Sequence, residues 1–190
     1  MSSRKISTMT WYDVVTTRSL EQGDLLPAVS VLLPILAVES GGSDLTAEVV
    51  TLDAIVLTQT CDIEQRKVSD LLVGAVIDWD EMVDAETLRG NQTIKSKAMR
   101  QKLIEGSLPS MSLLHRNDDP PLNWSVVNFK QLFSIPLQSI ESNSVLMDQP
   151  RLRLRSPYKE HLAQALARFF MRVGLPHTAE QFKEYTGRAS

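Results

Sequence analysis

The sequence predicts one α+β domain, mainly β in its first part, and three features carry that expectation. Up to Ile77, β-branched and apolar segments alternate with Gly, Pro and Asp turn signals. Beyond Asp80 the apolar spacing changes from strand-like to helical. Near the end, Ser156-Pro157 opens and Gly174-Leu175-Pro176 closes a segment with apolar residues at helical spacing. At 190 residues the chain has the length of one domain that buries about 70% of its unfolded surface.

The elements follow in order. Alternating and β-branched residues from Trp11 give a first strand, and Gly23-Asp24 marks a turn. The apolar run after it contains Pro27 and Pro34, which would interrupt a helix and which suit short kinked strands. Gly41-Gly42-Ser43-Asp44 is a turn. Residues 48–58 and 68–77 read as strands, joined by a hairpin-like connection, TCDIEQRK. Residues 80–88 are acidic and form one or two helical turns, and residues 94–104 form an amphipathic helix stopped by Gly106. Asn117-Asp118-Asp119-Pro120-Pro121 is a loop, residues 124–129 are a strand, and RLRLR at 151–155 is a strand of strict two-residue alternation. In the last helix Tyr158, Leu162, Ala165, Leu166, Phe169, Phe170 and Val173 form the core stripe.

Composition narrows the function classes. One cysteine closes no intramolecular disulfide, and with His115, His161 and His177 scattered it builds no metal framework, so neither metal nor cofactor is expected. The N-terminus lacks the apolar core of a signal peptide, and the longest apolar run, VSVLLPILAV, falls short of the roughly 20 residues of a membrane span. The expectation is a cytoplasmic protein with no membrane contact. The net charge of −3 is uneven, because residues 151–190 hold eight Lys or Arg against three Glu.

The layout of a Gly-Asp turn, an apolar strand ending in small polar residues, a loop and a second apolar strand, residues 23–77, resembles the small barrel of the PemK and MazF toxin family. The resemblance implies an SH3-like barrel, here residues 1–155 with a helical insertion at about 80–106 and a helical cap at 156–190, and a place in a defence or stress system. The chain departs from that family at Asp53-Ala54, where the family has Arg-Pro, and at Ile77-Asp78, where it has a proline and a hydroxyl residue. QTCDIEQRK and RLRLRSPYKEHLAQALARFFMRVGLP also resemble a widespread group of bacterial proteins of unassigned function, which implies a bacterial cytosolic protein.

Two constellations can carry chemistry. Cys61 would be a nucleophile if Arg66 or Lys67 supplied a cation and His115 a base. A cysteine at the end of a strand is more often a small packed residue, and that is the reading taken, with Asp62 and Lys67 structuring the turn. In RLRLR the period places Arg151, Arg153 and Arg155 on one face and Leu152 and Leu154 on the other. Arg168 and Arg172, four apart on the last helix, extend the cationic surface, and guanidinium forks suit phosphate or carboxylate. The expected function is a non-enzymatic binding or accessory module that engages an acidic protein partner or nucleic-acid phosphates through this arginine face. The alternative is an enzyme, either a toxin-like ribonuclease or a hydrolase using Cys61 and His115.

Overall fold

The computed structural model describes residues 10–39 and 42–171, with residues 34–39 and 42–46 described by their backbone alone. Two antiparallel sheets account for the strands among them. The larger has the order β2-β3-β4-β6-β5, built from β2 (Leu25–Glu39), β3 (Gly42–Val56), β4 (Asp70–Asp78), β5 (Met111–Leu114) and β6 (Ser125–Pro136). The smaller pairs β1 (Tyr12–Val15) with β7 (Arg151–Leu154). The sheet is open: β2 and β5 are its two edges and do not pair with each other, so the expected closed barrel is not formed among the described residues.

Ala54, Ile55, Val56 and Leu57 show why AIVL is continuously apolar. Ala54 and Val56 enter one core with Leu71, Val73, Ile135, Leu137 and Met147, whereas Ile55 and Leu57 enter another with Val127, Phe129, Leu152 and Leu162. A strand covered on both faces has no need of polar alternation. All four residues are at most 3% exposed, and burying each of the larger ones contributes about 1.5–3 kcal/mol. The first core is closed by α1 (Thr60–Glu64), α4 (Leu137–Glu141) and α5 (Ser144–Met147), the second by the small sheet and α6 (Tyr158–Phe170).

The prolines of the apolar run do not divide it into short strands. β2 is continuous over 15 residues, with Pro27 and Ala28 forming a bulge opposite Asp53. Ala28 adopts φ 51°, and its N–H donates to Asp53 Oδ1 at 2.9 Å, so Asp53 stabilises a conformation that alanine rarely adopts. Pro34 is tolerated because β2 is an edge strand.

The expected connection TCDIEQRK contains a short helix, α1. Arg66, at φ 52°, closes it: its N–H donates to the Ile63 carbonyl and that of Lys67 to the Asp62 carbonyl, the two bonds of a Schellman cap, with Arg66 where glycine is usual. The helical insertion comprises α2 (Trp79–Leu88), a 3-10 turn (Gln92–Lys95) and α3 (Lys97–Ile104). The single helix expected at 94–104 is interrupted because Ser96 is extended and caps α3, its hydroxyl accepting from Met99 N–H. Asp78 caps α2 by accepting from the Asp80 and Glu81 N–H groups. In α6 Leu162 is buried and Phe170 exposed, Pro157 is the cap residue, and the expected stop at 174–176 lies outside the described residues.

Candidate functional site

The arginine ladder does not face solvent as one surface. β7 keeps its two-residue period, and Leu152 and Leu154 enter the second core, but the opposite face lies against residues 17–24. Arg151 is 2% exposed and donates to the carbonyls of Thr17, Ser19 and Met147, with Asp24 Oδ2 at 3.5 Å. Arg153 clamps the Asp24 carboxylate through Nε and one terminal nitrogen, and it also donates to Glu21 and to the Ser19 carbonyl at 2.8 Å. Burial works against its charge, yet the Asp24 hydrogen bonds, reinforced by the charges of Asp24, Glu21 and Asp13, hold the guanidinium above its ordinary range. Lys159 Nζ lies 3.7 Å from Glu21.

Two of the five predicted binding arginines are therefore committed inside the molecule. A strand's alternation tells which side chains share a face; it does not tell what covers that face. Arg155 is exposed, 3.4 Å from Asp13 and bonded to Thr10 Oγ1. Arg168 is exposed on α6, and Arg172 lies outside the described residues. The carboxylates that meet the ladder come from the Glu21 to Asp24 turn and, at Arg155, from Asp13, not from the acidic stretch after Asp78.

Cys61 is exposed on α1, which overturns its reading as a packed residue. Its thiol lies 3.7 Å from Gln59 Oε1 and 3.7 Å from Asp62 Oδ1, both acceptors. The cations proposed for it are engaged elsewhere: Arg66 pairs with Glu141 at 2.9 Å, and Lys67 Nζ is 3.9 Å from Asp62. Asp62 and Lys67 do meet across the turn, chiefly through the Lys67 N–H and the Asp62 carbonyl at 2.9 Å. Cys61 shares no hydrogen bond with His115 and does not line the cleft that His115 lines.

That cleft has a volume of about 600 Å³. It lies between α6, β5, the end of α3 and the residues flanking β1 and β6, and it is lined by a row of rings. Trp11 and Tyr158 are stacked, with centroids 4.1 Å apart and planes 10° apart. His115 is 5.5 Å from Trp11 and 4.3 Å from Trp124, and His161 stands edge-on to Tyr158 at 6.4 Å. Trp124 is 41% exposed, the most open tryptophan among the described residues.

Local structure fixes each ring. The Trp11 carbonyl accepts from Arg155 N–H at 2.9 Å, which anchors Trp11 to the end of β7. Tyr12, buried in β1, donates its hydroxyl to the His115 carbonyl at 2.7 Å. His115 Nδ1 lies 2.7 Å from the Arg116 carbonyl, which can only accept, so Nδ1 carries a proton and donates it there. Arg168 and His161 stand at the rim. An apolar annex of about 240 Å³, between Trp79, Arg100, Leu103, Ile104, Leu113 and Trp124, shares its wall with the cleft. A polar one of about 320 Å³, lined by Asp78, Asp80, Arg116, Asp118 and Asn123 among others, also ends on Trp124.

Of this site sequence reasoning found His115 and Arg168 and missed Trp11 and Trp124. These two lie 113 positions apart in the chain, each just outside a strand, and no local pattern links them. Among the described residues no helix is long and apolar enough to cross a membrane, and no group of three His, Cys, Asp or Glu is placed to hold a metal. Protein-family models, curated proteins and solved structures give no significant match to this chain.

Proposed function

We propose that the protein is a non-enzymatic binding module whose ligand carries a nucleobase and a phosphate, and that the aromatic cleft receives it. The observation that carries the reading is Trp124, an open ring at the junction of three concavities and in line with His115, Trp11 and Tyr158. A planar π-face is what a nucleobase stacks on, at about 1–3 kcal/mol per base. Arg168 and Arg100 at the rims supply forks for phosphate. The volume is within the range of small-ligand sites, about 300–1,000 Å³. The separate surroundings of Cys61 and His115 favour binding over thiol chemistry, and the Asp53 and Asp78 side chains that replace the toxin-family residues serve backbone conformation.

Tryptophan fluorescence titrated with ATP, GTP and a single-stranded RNA oligonucleotide at two salt concentrations tests the reading. The expected result is saturable quenching that Trp124→Ala weakens about fivefold to a hundredfold, that Arg168→Ala also weakens, and that Cys61→Ser leaves unchanged. Oligonucleotide binding that is tighter than mononucleotide binding and falls with salt assigns the site to a strand; equal binding assigns it to free nucleotides. Absence of quenching by all three ligands, or a Trp124→Ala protein that binds like the parent, refutes it.

A further inference from the structure

β3 pairs with β4 only over residues 53–56, so among the described residues its single neighbour over 42–52 is β2. The β2-β3 ribbon thus runs some 35 Å beyond the sheet. By Ala47 it has left the core, because Ala47, Glu48 and Val49 are all exposed although successive residues point to opposite faces. The cross-strand pair Leu32 and Val49 is 68% and 64% exposed. A two-stranded ribbon is marginally stable by itself, and an unpaired edge is a template for another strand.

The two edges of the ribbon differ. The outer edge, on β2, is guarded by Pro27 and Pro34, which remove donors. The β3 edge has no proline over residues 42–52, and its sequence is rich in Thr and Val. Its charge has one sign: between Arg18 and Arg66 the chain contains no Lys, Arg or His and eight Asp or Glu. Glu21 and Asp24 are spent on the arginines of β7, but Asp44 and Glu48 of the ribbon have no cation near them in sequence, and Glu48 is exposed. Edge strands that avoid association usually carry lysine; this one invites it.

We propose that residues 42–52 of β3 are a docking strand for a basic, extended segment of a partner protein, which adds to the edge through main-chain hydrogen bonds while its Lys or Arg side chains meet the exposed Glu48 on a strand whose charged residues are all acidic. This is the charge opposite to the partner expected from the arginine ladder. A second copy of the ribbon would set acid against acid; the basic helix α3, with Lys97, Arg100 and Lys102, is the surface by which a second copy could compete.

The probe is a synthetic peptide, acetyl-Lys-Thr-Lys-Val-Lys-Val-Lys-Thr-Lys-amide, bound to the full chain and followed by fluorescence anisotropy and amide hydrogen exchange. The expected result is salt-sensitive binding with new protection of the amides of residues 42–52, weakened roughly tenfold by Asp44→Lys/Glu48→Lys, and absent for the same peptide with Glu in place of Lys. Backbone N-methylation of alternate peptide residues, which keeps the charge but blocks strand addition, also weakens it roughly tenfold. Binding that survives N-methylation or charge reversal, no binding of the basic peptide, or a chain that dimerises with those same amides protected overturns the proposal.

Discussion

Replacing Arg153 with Ala is expected to cost stability and not merely a surface charge. The Asp24 side chain is fully buried and that of Arg153 is 11% exposed, and three of the guanidinium's hydrogen bonds go to Asp24 and Glu21. Removing one partner of a buried pair costs about 3–5 kcal/mol, because the other charge is left in a medium that solvates it poorly. Arg151, with its nitrogen 3.5 Å from Asp24, partly compensates, which places the loss for Arg153→Ala near the lower end, about 3 kcal/mol. Asp24→Ala leaves two buried guanidinium groups facing each other and belongs at the upper end, about 5 kcal/mol. Against a total stability of about 5–15 kcal/mol these are large fractions, and for a chain of this size about 3 kcal/mol lowers Tm by about 6–12 °C. Urea unfolding followed by circular dichroism measures both. Arg155→Ala, whose pair with Asp13 has side chains 49% and 59% exposed, is the control and is expected within about 0.5 kcal/mol of the parent. The triple change Asp24→Leu/Arg151→Met/Arg153→Met removes the buried charges together, leaves Glu21 with Lys159 at 3.7 Å, and is expected to lose less than Asp24→Ala alone. If Arg153→Ala and Arg155→Ala cost the same, Arg153 is a solvated surface residue and the assignment of the ladder to internal pairing is wrong.

Two further outcomes follow from packing and burial. Gly74→Ala is expected to destabilise by about 1–3 kcal/mol in the same urea assay, since an added Cβ would stand 2.9 Å from Val127 Cγ1 and 3.2 Å from Leu57 Cδ1 in a strand covered on both faces; a change below about 0.5 kcal/mol would mean the core there is loose. Burial pushes the Tyr12 phenol well above its ordinary value of about 10, so the folded protein holds that proton where the unfolded chain releases it. Stability from Tyr12 is therefore complete below pH 10 and falls above it, by up to about 1.4 kcal/mol per pH unit. Comparing wild type with Tyr12→Phe between pH 9 and 11 should show the extra fall in wild type only, and parallel curves would remove the claim.

How much could be read in advance depended on whether the determining contact was local. The strand at β7, the loop after Asn117, the helical insertion and the last helix are local patterns of period and capping, and they stand close to where the sequence places them. Gly106 ends α3 at φ 63° as its position suggested. The failures share one cause, which is contact between residues far apart in the chain. The arginine face failed because Glu21 and Asp24, some 130 positions away, cover it. No closed barrel is found among the described residues, because alternation specifies strands and not how the sheet they build is closed. Cys61 was misplaced because an Arg at positive φ, absent from the usual stop signals, completes a helical turn and lifts the thiol into solvent. The aromatic row depends on Trp11, His115, Trp124 and Tyr158 meeting from four separate segments.

The charge asymmetry of the chain resolves into two physically different uses of carboxylates. Glu21 and Asp24 sit in a turn held by backbone bonds, the Gly23 N–H to the Val56 carbonyl and the Val56 N–H to the Asp24 carbonyl, both at 2.9 Å. They are therefore presented to β7 before any arginine arrives, and ordering them adds little to the entropy lost on pairing. Glu48 belongs to a ribbon in which, among the described residues, β3 has one neighbouring strand, and its side chain is exposed. An acid placed first in a rigid turn becomes part of the fold, and one placed on an unpaired edge stays available to another molecule. The same sign of charge thus serves the fold where a turn presents it to β7, and stands exposed at Glu48, where β3 has β2 alone beside it among the described residues.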